Sequence, residues 1–205
     1  MKRGFTLIEM LIVIGIIAVL SGAAMATFSK VTARAQAANA QELVHNVATA
    51  LEKLLQDNSG WPPRILSEAQ GSHKVSSRVG AELARRHLLS LNYRQKVNQS
   101  TGETTYELVG LDQCGVVTPW ASTVIKRRAG KGSVSLATPV PAGGTIEDHI
   151  LRFAVDDDLD GIVQISGADG LSASVRASAA VWCCGRDGKF GTKDDLKSWS
   201  KGQER

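Results

Sequence analysis

The sequence predicts an α+β chain, with one long N-terminal helix packed on a small antiparallel sheet. Three observations carry that reading. Residues 7–28 form a nearly unbroken apolar run, and residues 43–55 carry apolar side chains at three- and four-residue steps. Residues 104–182 hold short apolar and β-branched segments separated by Gly, Pro and Asp. The 205 residues are 43% hydrophobic and 21% charged, which suits one ordinary domain with an appendage and excludes a disordered tail or a multi-span transporter. The net charge of +4 is a modest surplus, so nucleic acid is not the expected partner. Residues 141–205 are the acidic part, with eight Lys and Arg against eleven Asp and Glu.

The N-terminal run contains one charge, Glu9, between Leu7 and Phe28. From Phe5 to Phe28 a helix would extend ~36 Å, enough to cross a bilayer core. Lys2 and Arg3 precede it, so the leading end is expected in the cytoplasm and the body outside. Ala24-Met25-Ala26 has the small-x-small form of a signal peptidase site, and cleavage there would release a soluble body beginning at Thr27. Glu9 argues for retention instead. A carboxylate at depth in the apolar stretch costs on the order of 2.5–3.5 kcal/mol, a cost without use in a disposable signal.

The residues Arg3-Gly4-Phe5-Thr6-Leu7-Ile8-Glu9 resemble the N-terminal signature of type IV pilins and of the pseudopilins of type II secretion. The resemblance implies a pilin fold, and the chain is most similar to the major pseudopilin. It implies that a prepilin peptidase cuts between Gly4 and Phe5 and methylates the new amino terminus, keeping the apolar helix. It also implies that Glu9 neutralises the amino terminus at Phe5 of a neighbouring subunit during assembly. The expected protein is a structural subunit, not an enzyme, of a type II secretion pseudopilus. Its expected partners are its own copies, other pseudopilins, an inner-membrane assembly platform and the peptidase. Its expected place is the bacterial inner membrane, crossed once, with the body in the periplasm or in an extracytoplasmic filament. The alternatives are a soluble secreted calcium-binding module after cleavage at Ala26, and a type IV or competence pilin. Many members of the family carry a proline late in the apolar stretch; here Ser21-Gly22-Ala23-Ala24 stands there, and Gly15 and Gly22 are the candidate points of loosening.

The organisation follows as leader 1–4, assembly helix 5–28, amphipathic stem 29–57 and globular body 58–205. The stem is marked by Leu43, Val44, Val47, Ala50, Leu51, Leu54 and Leu55, and ends at Asn58-Ser59-Gly60 before Pro62-Pro63. Residues 64–100 carry little signal beyond a short helix over 79–91, with Leu83, Ala84, Leu88 and Leu91 inward. Strands are expected at 104–111, 116–117, 150–155, 161–165 and 174–182. Thr118-Pro119-Trp120-Ala121 is read as a proline turn with a buried tryptophan.

Two acidic stretches are candidate metal sites. In residues 184–199, glycines let the backbone turn tightly, so that Asp187 and Asp194, with Asp195 as a substitute, bring hard oxygens together for calcium. The stretch is similar to the C-terminal calcium loop of major pseudopilins. The other reading is a solvated Asp-Gly turn balanced by Lys189, Lys193 and Lys197. Asp156, Asp158 and Asp160 form a second, weaker candidate. They begin like an EF-hand loop, but Gly167 stands where the bidentate glutamate is required. Cys114, Cys183 and Cys184 permit a bridge from Cys114 to one of the pair, or are buried apolar residues. His45, His73, His87 and His149 are scattered at no catalytic spacing, and Arg85-Arg86 and Lys126-Arg127-Arg128 read as solvated faces.

Overall fold

The computed structural model describes residues 7–97, 104–109, 115–121, 143–168 and 170–204. Helix α1 (Leu7–Asn58) is continuous over 52 residues, ~78 Å at the usual rise. No proline interrupts it. Its burial begins at Ala40 and continues through Val44, Val47, Ala48, Ala50, Leu51 and Leu54, one stripe at helical spacing. The helix stops where the Asn58 side-chain amide donates to the Leu54 carbonyl (2.6 Å) and Ser59 enters the left-handed region at φ 53°.

Two short helices follow. Helix α2 (Pro63–Gln70) starts with a proline at a position that needs no amide donor, and buries Ile65 and Ala69. Helix α3 (Ser77–Arg85) is capped by Ser76, whose hydroxyl accepts from the Val79 amide. The expected helix over 79–91 is therefore shorter and earlier, because His87 turns left-handed at φ 59°. Leu83 and Ala84 face inward as expected. Leu88 and Leu91 pack against the same core from outside the helix.

Among the described residues the strands form three antiparallel units: a hairpin of β1 (Tyr93–Val97) and β2 (Thr104–Leu108); a sheet of order β3-β6-β7, made of Arg152–Val155, Ala179–Cys183 and Leu196–Lys197; and a hairpin of β4 (Val163–Ala168) and β5 (Leu171–Val175). The segment expected as one strand over 174–182 is two, parted by a bend at 176–178, because β5 pairs with β4 while β6 pairs with β3. Residues 116–117 contribute a single bridge, Val117 to Ile150. The expected strand over 104–111 is described to Leu108 and ends there.

Strand β6 divides the core by its two-residue period. Ala179, Val181 and Cys183 join the α1 stripe, while Ala180 and Trp182 join Ala154, Val163, Ile165, Val175 and Trp199 on the other face. The sheet is thus covered by α1 on one side and by the β4–β5 hairpin with Trp199 on the other. Trp120 is buried against Ala37, Ala40, Ile146 and Leu196, and the Ala121 amide closes a turn on the Thr118 carbonyl, as the sequence suggested. These residues form an α+β fold of an N-terminal helix on small antiparallel sheets.

Candidate functional site

The first functional region is the free half of α1. Leu7, Ile8, Leu11, Ile12, Ile14, Ile16, Ile17, Val19 and Leu20 are all exposed, on every side of the helix. Glu9 lies in the first turn, where the helix dipole favours a carboxylate. Among the described residues no helix is long and apolar enough to cross a membrane. The apolar side chains described without interruption end at Leu20, and the side chains of residues 23–27 fall outside the description, as do Gly4 and Phe5. The expected span over 5–28 is thus seen only in part, as an exposed apolar helix.

The second region is the C-terminal loop. Gly188 and Gly191 adopt φ of 71° and 79°, which glycine takes without strain. At Gly185 a side chain would occupy the place of the Asp194 carboxylate, and at Gly143 it would meet the Asp187 carbonyl. The Gly143 amide donates to the Arg186 carbonyl (3.0 Å), pressing the two loops backbone to backbone. Between them lies a cleft of about 340 Å³ lined by Gly143, Arg186, Asp187 and Asp194. The expected pair Asp187 and Asp194 therefore meets in one cleft.

Asp195 does other work. Its carboxylate accepts the Gly191 and Thr192 amides (2.7 and 3.2 Å) and closes the turn. Burial raises its pKa against those hydrogen bonds. Asp194 ends lower than an ordinary carboxylate: burial pushes it up, but the Thr192 hydroxyl and the Asp187 amide outweigh that push. Asp187 accepts the Lys189 amide at 2.9 Å.

Asp156, Asp158 and Asp160 lie at the turn after β3, and their carboxylates offer oxygens within 4.8 Å of one another. Among the described residues this is the acidic trio that meets that spacing, so the candidate ranked second on sequence is the more compact of the two. Asp156 is buried and accepts the Gly161 amide at 2.7 Å. Burial raises its pKa, and the adjacent Asp158 and Asp160 raise it further.

A buried polar network supports the cleft from beneath. The His149 Nε2–H donates to the Gly143 carbonyl (2.8 Å), which leaves Nδ1 to accept from the Thr118 hydroxyl (3.2 Å). The Cys184 thiol donates to the Asp148 carbonyl (2.8 Å). Sequence reasoning missed this network, because residues 118, 149 and 184 come together only through the Val117–Ile150 bridge and the end of β6. Cys183 and Cys184 are free and buried. Burial pushes the Cys183 pKa up to about 12 and raises that of Cys184 as well, which favours the protonated thiol at both. Cys114, the third member of the possible disulfide, lies outside the described residues.

Residues 1–25 match the family model of the prokaryotic N-terminal methylation motif. The chain is similar to the type IV major pilin protein PilE1 of Neisseria gonorrhoeae, 36% identical over 72 residues, which are 35% of this chain and 44% of that protein. It is similar to a fimbrial protein of Neisseria meningitidis serogroup B, 28% identical over 104 residues, 47% of this chain and 61% of the relative. It is also similar to the type IV major fimbrial protein FimA of Dichelobacter nodosus, 28% identical over 111 residues, 51% of this chain and 69% of the relative. The chain spans about half the length of the first two relatives. No solved structure matches it. Motif, continuous helix and relatives together make this chain similar to type IV pilins in its N-terminal part.

Proposed function

We propose that the chain is the subunit of a pilin-like filament, cut between Gly4 and Phe5, anchored in the bacterial inner membrane by residues 5–28, and drawn from there into the filament. One observation carries the reading: α1 has two unlike halves. From Ala40 to Leu54 a stripe is buried in the chain's own body, whereas from Leu7 to Leu20 apolar side chains are exposed all round. Such a surface needs an apolar environment from outside the chain. Lipid supplies it to the monomer and neighbouring helices supply it in the filament, so the transfer loses little apolar burial.

The finer reading is a pseudopilus of type II secretion, in which the subunit works with other pseudopilins, an assembly platform and the prepilin peptidase. The C-terminal loop supports it. Its glycines hold Asp187 and Asp194 in one cleft beside backbone carbonyls, a donor set of hard oxygens that fits calcium. There Asp187 and Asp194 would hold the ion, which would supply local positive charge and tie residues 185–195 to the loop at Gly143.

The test of the filament reading is Glu9→Ala. Removing the acid eases membrane insertion but leaves the incoming amino terminus without its counter-charge. Membrane levels should match wild type while sheared filament yield falls sharply; a wild-type yield would refute the assembly role of Glu9.

A further inference from the structure

His149 is fully buried at the foot of the C-terminal cleft, and both of its ring nitrogens are engaged. A carbonyl only accepts, so the bond to Gly143 (2.8 Å) places the ring proton on Nε2. Nδ1 is then the acceptor, with the Thr118 hydroxyl at 3.2 Å and the Cys184 sulfur at 3.5 Å. With its nitrogens used in this way, the imidazole does not ligate an ion. Burying a polar ring costs free energy unless its nitrogens are satisfied, and an apolar side chain of similar volume would fill the place without that cost. What the imidazole adds over such a side chain is its hold on Gly143.

Gly143 forms one wall of the cleft, and both of its backbone polar groups are fixed: the amide on the Arg186 carbonyl (3.0 Å), the carbonyl by His149. The two loops approach so closely that a Cβ at Gly188 would lie 2.7 Å from the Gly143 carbonyl oxygen. The turn that carries His149 is itself braced. The Asp148 carboxylate accepts the Thr145 amide (2.6 Å) and hydroxyl (2.8 Å), the His149 amide donates to the Ile146 carbonyl (3.1 Å), and the Thr118 amide donates to the His149 carbonyl (2.9 Å). On the opposite side, the Cys184 thiol donates to the Asp148 carbonyl (2.8 Å), one residue before Gly185, whose backbone abuts the Asp194 carboxylate. Residues 148–149 thus reach both walls of the cleft, Gly143 through the imidazole and Gly185 through Cys184.

We propose that His149 is the positioning residue of this cleft: its Nε2–H sets where Gly143 stands against residues 186–188, and through them how tightly Asp187 and Asp194 hold calcium. The inference rests on the calcium reading above. Calcium takes about six to eight oxygens, of which two carboxylates supply two apiece at most, so backbone carbonyls or water must complete the set. The backbone along 186–188 that would contribute is the part Gly143 presses on. The two ring nitrogens divide the work, since Nδ1 faces the core at Thr118 while Nε2 faces the cleft. Calcium affinity should therefore follow the Nε2 contact and not the Nδ1 contact, although stability draws on both.

The experiment separates the two nitrogens. His149→Gln keeps an amide donor at the place of Nε2 and gives up Nδ1, whereas His149→Asn keeps an acceptor at the place of Nδ1 and is too short to reach Gly143. Calcium is titrated calorimetrically into the metal-free full chain in detergent, and each variant is also melted in chelator. His149→Gln should bind calcium within about threefold of wild type and His149→Asn roughly tenfold more weakly, while both melt below wild type without calcium. His149→Met, which fills the space without a donor, should bind as weakly as His149→Asn and replaces it in the comparison if that variant does not fold. Wild-type affinity in the donor-free variants would overturn the assignment and leave the calcium reading intact. Equal weakening of His149→Gln and His149→Asn, or failure of His149→Gln to fold, would do the same, because the imidazole would then serve the core alone. No calcium binding by verified metal-free wild type would overturn the calcium reading and this assignment with it.

Discussion

Leu11→Ala and Leu51→Ala remove the same atoms from the same helix, and the two substitutions should have opposite consequences. Leu51 is fully buried in the main core with Val47, Leu54, Val181 and Cys183. Truncating a leucine in such a site costs about 2–5 kcal/mol, the lost transfer free energy plus the residual cavity. At about 3 kcal/mol, and ~2–4 °C per kcal/mol for a domain of this size, the melting temperature should fall by roughly 6–12 °C. Leu11 is 60% exposed, so its truncation removes no packing from the body and should move the melting temperature by less than about 2 °C. Filament yield should show the reverse pattern, with Leu11→Ala impaired at growth temperatures where the Leu51→Ala body remains folded. The assay is thermal unfolding of the full chain in detergent, followed by tryptophan fluorescence, beside sheared filament yield from cells. Equal melting shifts for the two variants would refute the division of α1 into a core half and an assembly half.

Intact mass of the mature chain should correspond to residues 5–205 with a methylated Phe5; a chain beginning at Thr27 would restore the signal-peptide alternative. Calcium should raise the melting temperature of metal-free protein by about 5–11 °C at a hundredfold excess over Kd, and Asp187→Ala should abolish that shift. No shift in verified metal-free wild type would leave the C-terminal loop as a solvated turn. Acid titration tests the Asp194 carboxylate, whose pKa is lowered in the folded chain. Its stabilising contribution is present above the unfolded value near 4 and is lost as pH falls through the lower folded value, so Asp194→Asn should flatten the loss of stability below about pH 4. An unchanged acid limb in that variant would show that the Thr192 hydrogen bond carries no weight.

What could be read from the sequence follows from how local each signal is. The stem was legible because helical periodicity is written within one segment: Val44, Val47, Leu51 and Leu54 lie on one stripe whatever they touch. Its end was legible for the same reason, since Asn58-Ser59-Gly60 and two prolines act on the backbone locally. The segment over 174–182 defeated that approach. Its apolar and small residues run on without a Gly or Pro, yet the bend at 176–178 arises because the two halves belong to different partners, and partner choice is tertiary. Helix α2 was missed because eight residues give too few turns to establish a period, and only Ile65 and Ala69 mark its inner face.

The acidic sites show the same boundary at finer scale. Spacing identified both stretches, but within the C-terminal one it left Asp195 as a substitute in the Asp187 and Asp194 pair. The fold separates them: Asp195 is held by the Gly191 and Thr192 amides of its own turn, while Asp187 and Asp194 border the cleft at Gly143. That cleft depends on residues far upstream, joined through the Gly143 amide and the His149 imidazole. No pattern within 184–199 encodes them. The turn at Asp156 is the converse case, because a stretch of five residues already fixes its carboxylates near one another, so its compactness is local. A compact acidic turn is common on protein surfaces, whereas a glycine-lined cleft built from two distant segments requires the whole fold to be in place. That dependence makes the C-terminal loop the more informative place to look for calcium, and it makes Asp187→Ala a sharper test than any substitution in the Asp156 turn.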